Sequence, residues 1–418
     1  MPPAVHYHAF GREMSQTAKR RWRPVLRCCF LAAAVTLVLP LVSWASGAVV
    51  VPAVSPFVAV CSVIALRSFS VVTLIGLPVL LLALFRRRWF CRNACPLGVL
   101  TERMGRLRRG GRSGVRRWPP IGTWIVLITL AGACFGYPLL LWLDPMGLFA
   151  SYFALCWQPA SLAGLIAGLG VPIVLFSSAL WPRVWCRKLC PLGATQELLA
   201  LPRQLLLRSQ FSKEAPSTGT GRRFRRRSVL SAGLGAVALG VGAAWGFFAV
   251  RRTSASKLRP LRPPGAADES QFTGLCIRCG NCIRACPEGV LRPAPIDDGL
   301  AGFLAPVVSF EWGYYCREAC NLCTQVCPSG AIARLSLQQK QKTPIGLAEV
   351  NPETCSAYIA YCSLCVGLCP YAAIEEQYHP DTQQTTLYVD PSKCPGCGAC
   401  VTVCPTTPKS IVVRPLPS

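Results

Sequence analysis

Apolar and polar positions along this chain fall into long blocks, with little fine alternation in the first 250 residues. Residues 1–24 are polar and end in Lys19-Arg20-Arg21-Trp22-Arg23. Residues 25–51 are almost wholly apolar and are broken by Pro40. Residues 52–66 stay apolar but contain Pro52 and Pro56, which fits a re-entrant or interfacial segment. Further apolar blocks run over 69–85, 121–143, 161–181 and 228–250, the last rich in Gly and Ala. Blocks of this length and spacing predict five membrane-spanning helices. From residue 275 onward the pattern changes to short β-like pieces such as Ser410-Ile411-Val412-Val413, set between cysteine groups.

Charge sharpens this division. Residues 1–252 hold 31 Lys+Arg and 5 Asp+Glu, whereas residues 253–418 hold 13 of each. The whole net charge of +26 therefore sits among the apolar blocks. Its runs lie at Lys19–Arg23, Arg86–Arg117 and Arg183–Arg227. Basic loops collect on the cytoplasmic side of a membrane, so the expected topology leaves residues 251–418 on the opposite, periplasmic side of a bacterial inner membrane. Nucleic-acid binding is excluded as a partner class, because the basic runs recur at membrane-span intervals without interleaved stacking aromatics. The expected divisions are a tail (1–24), a four-helix membrane domain (25–200), a basic segment with the fifth helix (201–252), a Pro-rich linker (253–272) and a cysteine-rich domain (273–418).

An internal repeat marks the membrane part. Trp89-Phe90-Cys91-Arg92-Asn93-Ala94-Cys95-Pro96-Leu97-Gly98 returns 95 residues later as Val184-Trp185-Cys186-Arg187-Lys188-Leu189-Cys190-Pro191-Leu192-Gly193. Each copy closes a pair of helices. Each pair has an oxygen-bearing residue before proline at its outer turn, Ser55-Pro56 in one and Asp144-Pro145 in the other. The fold expected here is a duplicated helical hairpin plus one extra helix. Cysteines four apart share a helical face, so Cys91, Cys95, Cys186 and Cys190 could gather to hold a further cluster, form a redox thiol set, or remain reduced structural thiols. Asp144 is a candidate proton acceptor because it is ionisable at the membrane edge; the bland alternative is a helix-terminating Asp-Pro turn.

The cysteine-rich domain carries four groups. Cys276-x2-Cys279-x2-Cys282-x3-Cys286-Pro287 and Cys394-x2-Cys397-x2-Cys400-x3-Cys404-Pro405 match the bacterial [4Fe–4S] run. In that run three close thiolates wrap one cubane, and the cysteine before proline ligates the neighbouring one. Cys316-x3-Cys320-x2-Cys323-x3-Cys327-Pro328 and Cys355-x6-Cys362-x2-Cys365-x3-Cys369-Pro370 differ only in a lengthened first gap. Structural zinc uses two close pairs of ligands, and disulfides do not explain three close cysteines followed by Cys-Pro. The expected fold is an α+β ferredoxin-like domain with four [4Fe–4S] clusters. Only His6, His8 and His379 occur, none in an apolar block, and there is no C-x-x-C-H, dinucleotide fingerprint or nucleotide-binding loop. Membrane haem, attached haem and ATP-driven transport are therefore not expected.

Residues 271–418 resemble the NapG/MauM group of periplasmic ferredoxin-type proteins, including the stretched second and third groups. Residues 25–200 resemble NapH, their membrane partner, with its paired C-x3-C-P motifs; the chain is similar to a fusion of the two, although NapH's own pair of C-terminal ferredoxin groups is missing. The resemblance implies an electron-transfer component without substrate chemistry of its own. It would take electrons from quinol, menaquinol in particular, and pass them to a periplasmic acceptor protein. A rival role, as for MauM, is supplying electrons for the maturation of another enzyme. The resemblance further implies that the first group pairs with the fourth and the second with the third: Cys404 with Cys276, Cys279 and Cys282; Cys286 with Cys394, Cys397 and Cys400; Cys369 with Cys316, Cys320 and Cys323; and Cys327 with Cys355, Cys362 and Cys365. Arg222-Arg223-Phe224-Arg225-Arg226-Arg227-Ser228-Val229-Leu230 is similar to a twin-arginine export signal, which suits a domain loaded with clusters before crossing. An ordinary basic stop beside a helix would use the same arginines.

Overall fold

A computed structural model describes residues 5–39, 47–107, 119–154, 162–212, 226–254, 259–311, 313–358, 362–380 and 384–416. The twin-arginine-like stretch from Arg222 to Arg225 lies outside them, as does Pro40.

Helices dominate the first part. Val5–Val38 is one continuous helix, so the expected boundary at residue 24 falls inside it, with Pro24 accommodated within the helix. The second apolar region is split into Val50–Ala53 and Pro56–Leu66, bent by 88° where Pro56 starts a new helix. By length and composition one helix is long and apolar enough to cross a membrane, Gly233–Arg251, or up to three if each bent pair, Gly47–Leu66 and Leu162–Leu180, counts as one span. Val71–Phe85 and Ile121–Cys134 are apolar but shorter. Prolines and glycines inside the blocks divide helices that apolar length alone would leave whole. The count among the described residues is therefore lower than the five expected from the sequence.

The duplication extends to backbone detail. Leu77–Phe85 and Gly170–Leu180 each lead into a left-handed arginine, Arg88 (φ 54°) and Arg183 (φ 65°), 95 residues apart. A single helical turn carrying the first cysteine follows each, Trp89–Asn93 and the wider π-turn Trp185–Leu189. The proline after the second cysteine then opens a longer helix, Pro96–Leu107 or Pro191–Ser212, because proline at the first helical position loses no hydrogen bond. Packing crosses the repeat: Pro96–Leu107 lies on Gly170–Leu180, and Pro191–Ser212 lies on Leu77–Phe85.

The outer turns meet as well. Ser55 donates to Asp144 Oδ1 at 2.5 Å, while the amides of Met146 and Gly147 donate to Oδ2 at 2.9 and 3.1 Å. Asp144 is completely buried and occupies the position of an N-cap for the Pro145–Ala154 helix. Arg226–Ser254 packs along Ile121–Cys134 through a Gly242-x-x-x-Gly246 face: a Cβ at Gly242 would collide with the backbone at Ile128, and one at Gly246 would lie 3.1 Å from Gly132 Cα.

The cysteine-rich part is built from three antiparallel two-stranded ribbons. β1 (Leu291–Pro293) pairs with β2 (Pro306–Val308), β3 (Leu347–Val350) with β6 (Ile411–Arg414), and β4 (Ile374–His379) with β5 (Gln384–Val389). Apolar residues of the first half share one core with the N-terminal helices, where Phe57, Val126 and Ala150 join Phe272, Leu275 and Ile277. Arg262 fastens the start of this part with two hydrogen bonds to Glu269 (2.8 and 2.6 Å), one to Pro306 O, and its guanidinium over the Phe272 ring.

Overpacking the Gly242 contact is expected to cost about 1–3 kcal/mol. Gly242→Val should therefore melt several degrees below the parent in detergent, whereas Gly233→Val, at a glycine with nothing within 4 Å, should melt as the parent does.

Candidate iron–sulfur sites

The C-terminal thiols gather in four sets. Cys276, Cys279 and Cys282 surround a hollow that Cys327 completes. Cys316, Cys320 and Cys323 face Cys286 across a second hollow. Cys394, Cys397 and Cys400 are joined by Cys369, and Cys355, Cys362 and Cys365 by Cys404, near enough to act on one another electrostatically.

This pairing corrects the one implied by resemblance. The first group exchanges its fourth cysteine with the second, and the third exchanges with the fourth. The reason is local. β1 and β2 fold the chain back between the first two groups, and a bridge between Ala266 and Ile332 brings the segment after Cys327 under Cys276. β3 and β6 likewise close the third and fourth groups on each other.

Several features suit these sets to polynuclear clusters. In the first two sets the thiols ring hollows. Gly280 (φ 71°) and Gly398 (φ 85°) begin the short helices after the second cysteine of their groups. At Gly398 a Cβ would run into the Phe310 ring, so only glycine lets the backbone curl there. The last cysteines accept backbone amides, Ile332 N to Cys327 Sγ at 3.4 Å and Ala373 N to Cys369 Sγ at 3.3 Å. The Tyr371 hydroxyl is buried without a protein partner beside Cys397 and Cys316, and could donate to a cluster held there.

The sets form a row. Cys316 N donates to Cys397 O at 2.9 Å, joining the second set to the set of Cys394, Cys397 and Cys400. At the other end the first set rests on the helical part. Asn281 donates to Ala48 O (3.2 Å) and Arg284 to Val38 O (2.8 Å), and Ile277 packs on Gly147 in the helix capped by Asp144.

The cysteines of the N-terminal helical part also come together. Cys91, Cys95, Cys186 and Cys190 lie within electrostatic reach of one another. Two contacts that motif reading misses cross the repeat: Thr101 Oγ1 lies 3.3 Å from Cys186 Sγ, and Gln196 Nε2 donates to Cys91 Sγ at 3.2 Å. Thr101 and Gln196 are themselves 95 residues apart. So are Glu102 and Glu197, which pair with Arg183 (3.7 Å) and Arg88 (3.0 Å) of the opposite repeat. Extending the 95-residue displacement past the cysteines would have found all four. Arg23, Arg27, Arg88, Arg92, Arg183 and Arg187 line a basic cavity leading to Cys91 and Cys186.

The fold and its thiol sets define a multi-cluster iron–sulfur protein, and the comparisons agree. A family described as a 4Fe-4S dicluster domain matches residues 275–331 and 361–407, and one described as a 4Fe-4S binding domain matches 68–113 and 163–210. Over 220 residues, 49% of this chain and 90% of the relative, it is 33% identical to the ferredoxin-type protein NapG of Escherichia coli. It is 33% identical over 215 residues to the methylamine utilization ferredoxin-type protein MauM of Paracoccus denitrificans, covering 48% of this chain and 92% of MauM. To the ferredoxin-type protein NapH of Haemophilus influenzae it is 29% identical over 253 residues, 58% of this chain and 75% of NapH. No solved structure matches. The chain belongs to the NapG/MauM family of ferredoxin-type iron–sulfur electron-transfer proteins and is NapH-like as well.

Burial pushes the Cys279 thiol up to about 12 and the Cys397 thiol up to about 11. At Cys404 burial acts the same way, but the hydroxyl and amide of Thr406, with the amides of Ser410 and Ile411, outweigh it and hold the thiol below its ordinary value. Cluster-free Cys279 and Cys397 thus keep their protons at neutral pH, while ligation requires thiolate. Cluster loading should release protons and tighten as pH rises from about 6 to about 9, as read by proton release during anaerobic reconstitution. In the cluster-free chain, a short thiol cross-linker should join the Cys276–Cys282 peptide to Cys327; linkage to Cys404 would restore the pairing implied by resemblance.

Proposed function

We propose that this protein holds four [4Fe–4S] clusters in its C-terminal domain and carries electrons from quinol, menaquinol in particular, to a periplasmic acceptor protein. The observation that carries this reading is the row of thiol sets with one end seated on the helical part. Electrons would be taken up at the set of Cys276, Cys279, Cys282 and Cys327. They would pass by way of Cys286, Cys316, Cys320 and Cys323, then Cys369, Cys394, Cys397 and Cys400, and leave from Cys355, Cys362, Cys365 and Cys404. When bound, the clusters supply one-electron redox chemistry. The chain's own residues fix their spacing, exclude water and donate hydrogen bonds to sulfur, which sets potentials.

The helical part lies in the inner membrane with the Cys91 and Cys186 motifs on the cytoplasmic face and residues 259–416 on the periplasmic face, as the distribution of arginine favours. The match of residues 68–113 and 163–210 to a 4Fe-4S binding domain supports a redox set at Cys91, Cys95, Cys186 and Cys190. Asp144 keeps its place as a candidate proton acceptor, although its carboxylate is fully engaged by Ser55 and two amides. The similarity to MauM favours a second reading, in which the same electrons serve the maturation of a partner enzyme.

Electron paramagnetic resonance on anaerobic membranes tests the first reading: a reduced menaquinol analogue should generate [4Fe–4S]⁺ signals. Signals that respond to dithionite alone would favour maturation. Cys327→Ala should abolish reduction of the whole row by quinol, since it removes the first stage, while dithionite still reduces the remaining clusters. Asp144→Asn with an unchanged rate of quinol-driven reduction would discard the proton role.

A further inference from the structure

A large cavity of about 1110 Å³ opens where three parts of the molecule meet. One wall is the Arg226–Ser254 helix, contributing Ala244, Trp245 and Phe248. A second is the outer turn after Ile121–Cys134, contributing Tyr137 and Trp142. The third is the cysteine-rich part, through Arg278 and the loop at residues 299–302. Trp245 and Phe248 are 57% and 65% exposed on the helix best suited to cross a membrane, so the cavity opens toward lipid.

Arg278 connects this space to the first thiol set. It stands between Cys276 and Cys279 and lines both the Cys276 hollow and the large cavity. Its backbone is left-handed (φ 55°). The guanidinium lies 5.6 Å from the Trp142 ring centroid and donates to Phe303 O (2.8 Å) and Ala301 O (3.0 Å). With a longer contact to Cys276 O at 3.4 Å, three of its five N–H groups are used, leaving two free to donate. The cavity therefore has an apolar, aromatic body open to lipid, and a cationic donor at the end nearest a candidate cluster.

We infer that this cavity is the headgroup site of a membrane quinone, with Arg278 donating to a ring oxygen between the aromatic side chains and the first thiol set. This rests on the electron-transfer reading above and supplies its missing location. The ring is flat, apolar and carries two oxygens, which suits stacking surfaces with Arg278 fixed at the end nearest the thiols, while Arg259 and Glu269 also line the cavity; a phospholipid would place its charged headgroup in water and needs no path to a cluster. Oxidation of one quinol to quinone releases two electrons and two protons. The electrons would pass singly to a cluster held by Cys276, Cys279, Cys282 and Cys327, and the protons would leave to the water on the side of the cysteine-rich domain.

The test uses the full-length, cluster-loaded protein in lipid vesicles with an azido-quinone as photoprobe. Label is expected on peptides containing Trp142 and Trp245, displaced by excess unlabelled quinone. Ala244→Trp, which fills the cavity without removing a hydrogen bond, should lower labelling at least tenfold and slow quinol-driven cluster reduction in proportion, with the dithionite-generated resonance signals unchanged. Arg278→Lys, which keeps the charge but loses the planar fork, should weaken labelling severalfold. Label on other segments, or undiminished labelling of Ala244→Trp, overturns the inference. So does labelling of the same peptides by a photoactivatable phospholipid that tenfold excess quinone fails to displace. The broader reading fails separately: displaceable label in this cavity with clusters that quinol never reduces would keep the binding site and refute quinol oxidation, whereas quinol reduction with label elsewhere would keep the reading and refute this site.

Discussion

The exchange of one cysteine between neighbouring groups is the constraint on which this architecture depends. A group that kept all four of its thiols would need only a loop and could stand alone. Here three thiols of one segment require a fourth from another, so Cys327 must return to Cys276 and Cys404 to Cys362. The ribbons β1–β2 and β3–β6 provide those returns with few residues, which is why so short a region, with little room for an ordinary apolar core, is ordered around its thiols. Left-handed Gly280 and Gly398 and the amides aimed at Cys327 and Cys369 serve the same end.

Symmetry plays the corresponding part in the helical half. Each C-x3-C-P turn is held by the other repeat through Thr101 on Cys186, Gln196 on Cys91, Glu102 with Arg183 and Glu197 with Arg88. At the opposite end Ser55 of one repeat bonds Asp144 of the other, and Asp144 caps the helix on which Ile277 rests. Duplication thus produces both a thiol cluster at one end and a rigid seat for the first cysteine group at the other. The two ends are joined by packed helices, with Gly242 and Gly246 drawing the last helix close enough to wall the large cavity.

The sequence by itself determined the chemistry. Four Cys-Pro-terminated groups of cysteines point to iron–sulfur chemistry, because closely spaced thiols followed by Cys-Pro, as in Cys276-x2-Cys279-x2-Cys282-x3-Cys286-Pro287, can wrap a cluster and few other sites use that spacing. The 95-residue repeat was equally legible, since it needs only comparison of the chain with itself. Helix lengths were not: apolar composition does not say where Pro56 turns the chain by 88° or that Val5–Val38 runs through Pro24. The partner of each fourth cysteine was also beyond it. All four groups end in the same Cys-Pro, so local sequence makes every exchange equivalent, and only the return of the chain through β1–β2 and β3–β6 selects one. The meeting of Arg278 with Trp142 and Trp245 was invisible for the same reason, because residues far apart along the chain become neighbours only when helices pack.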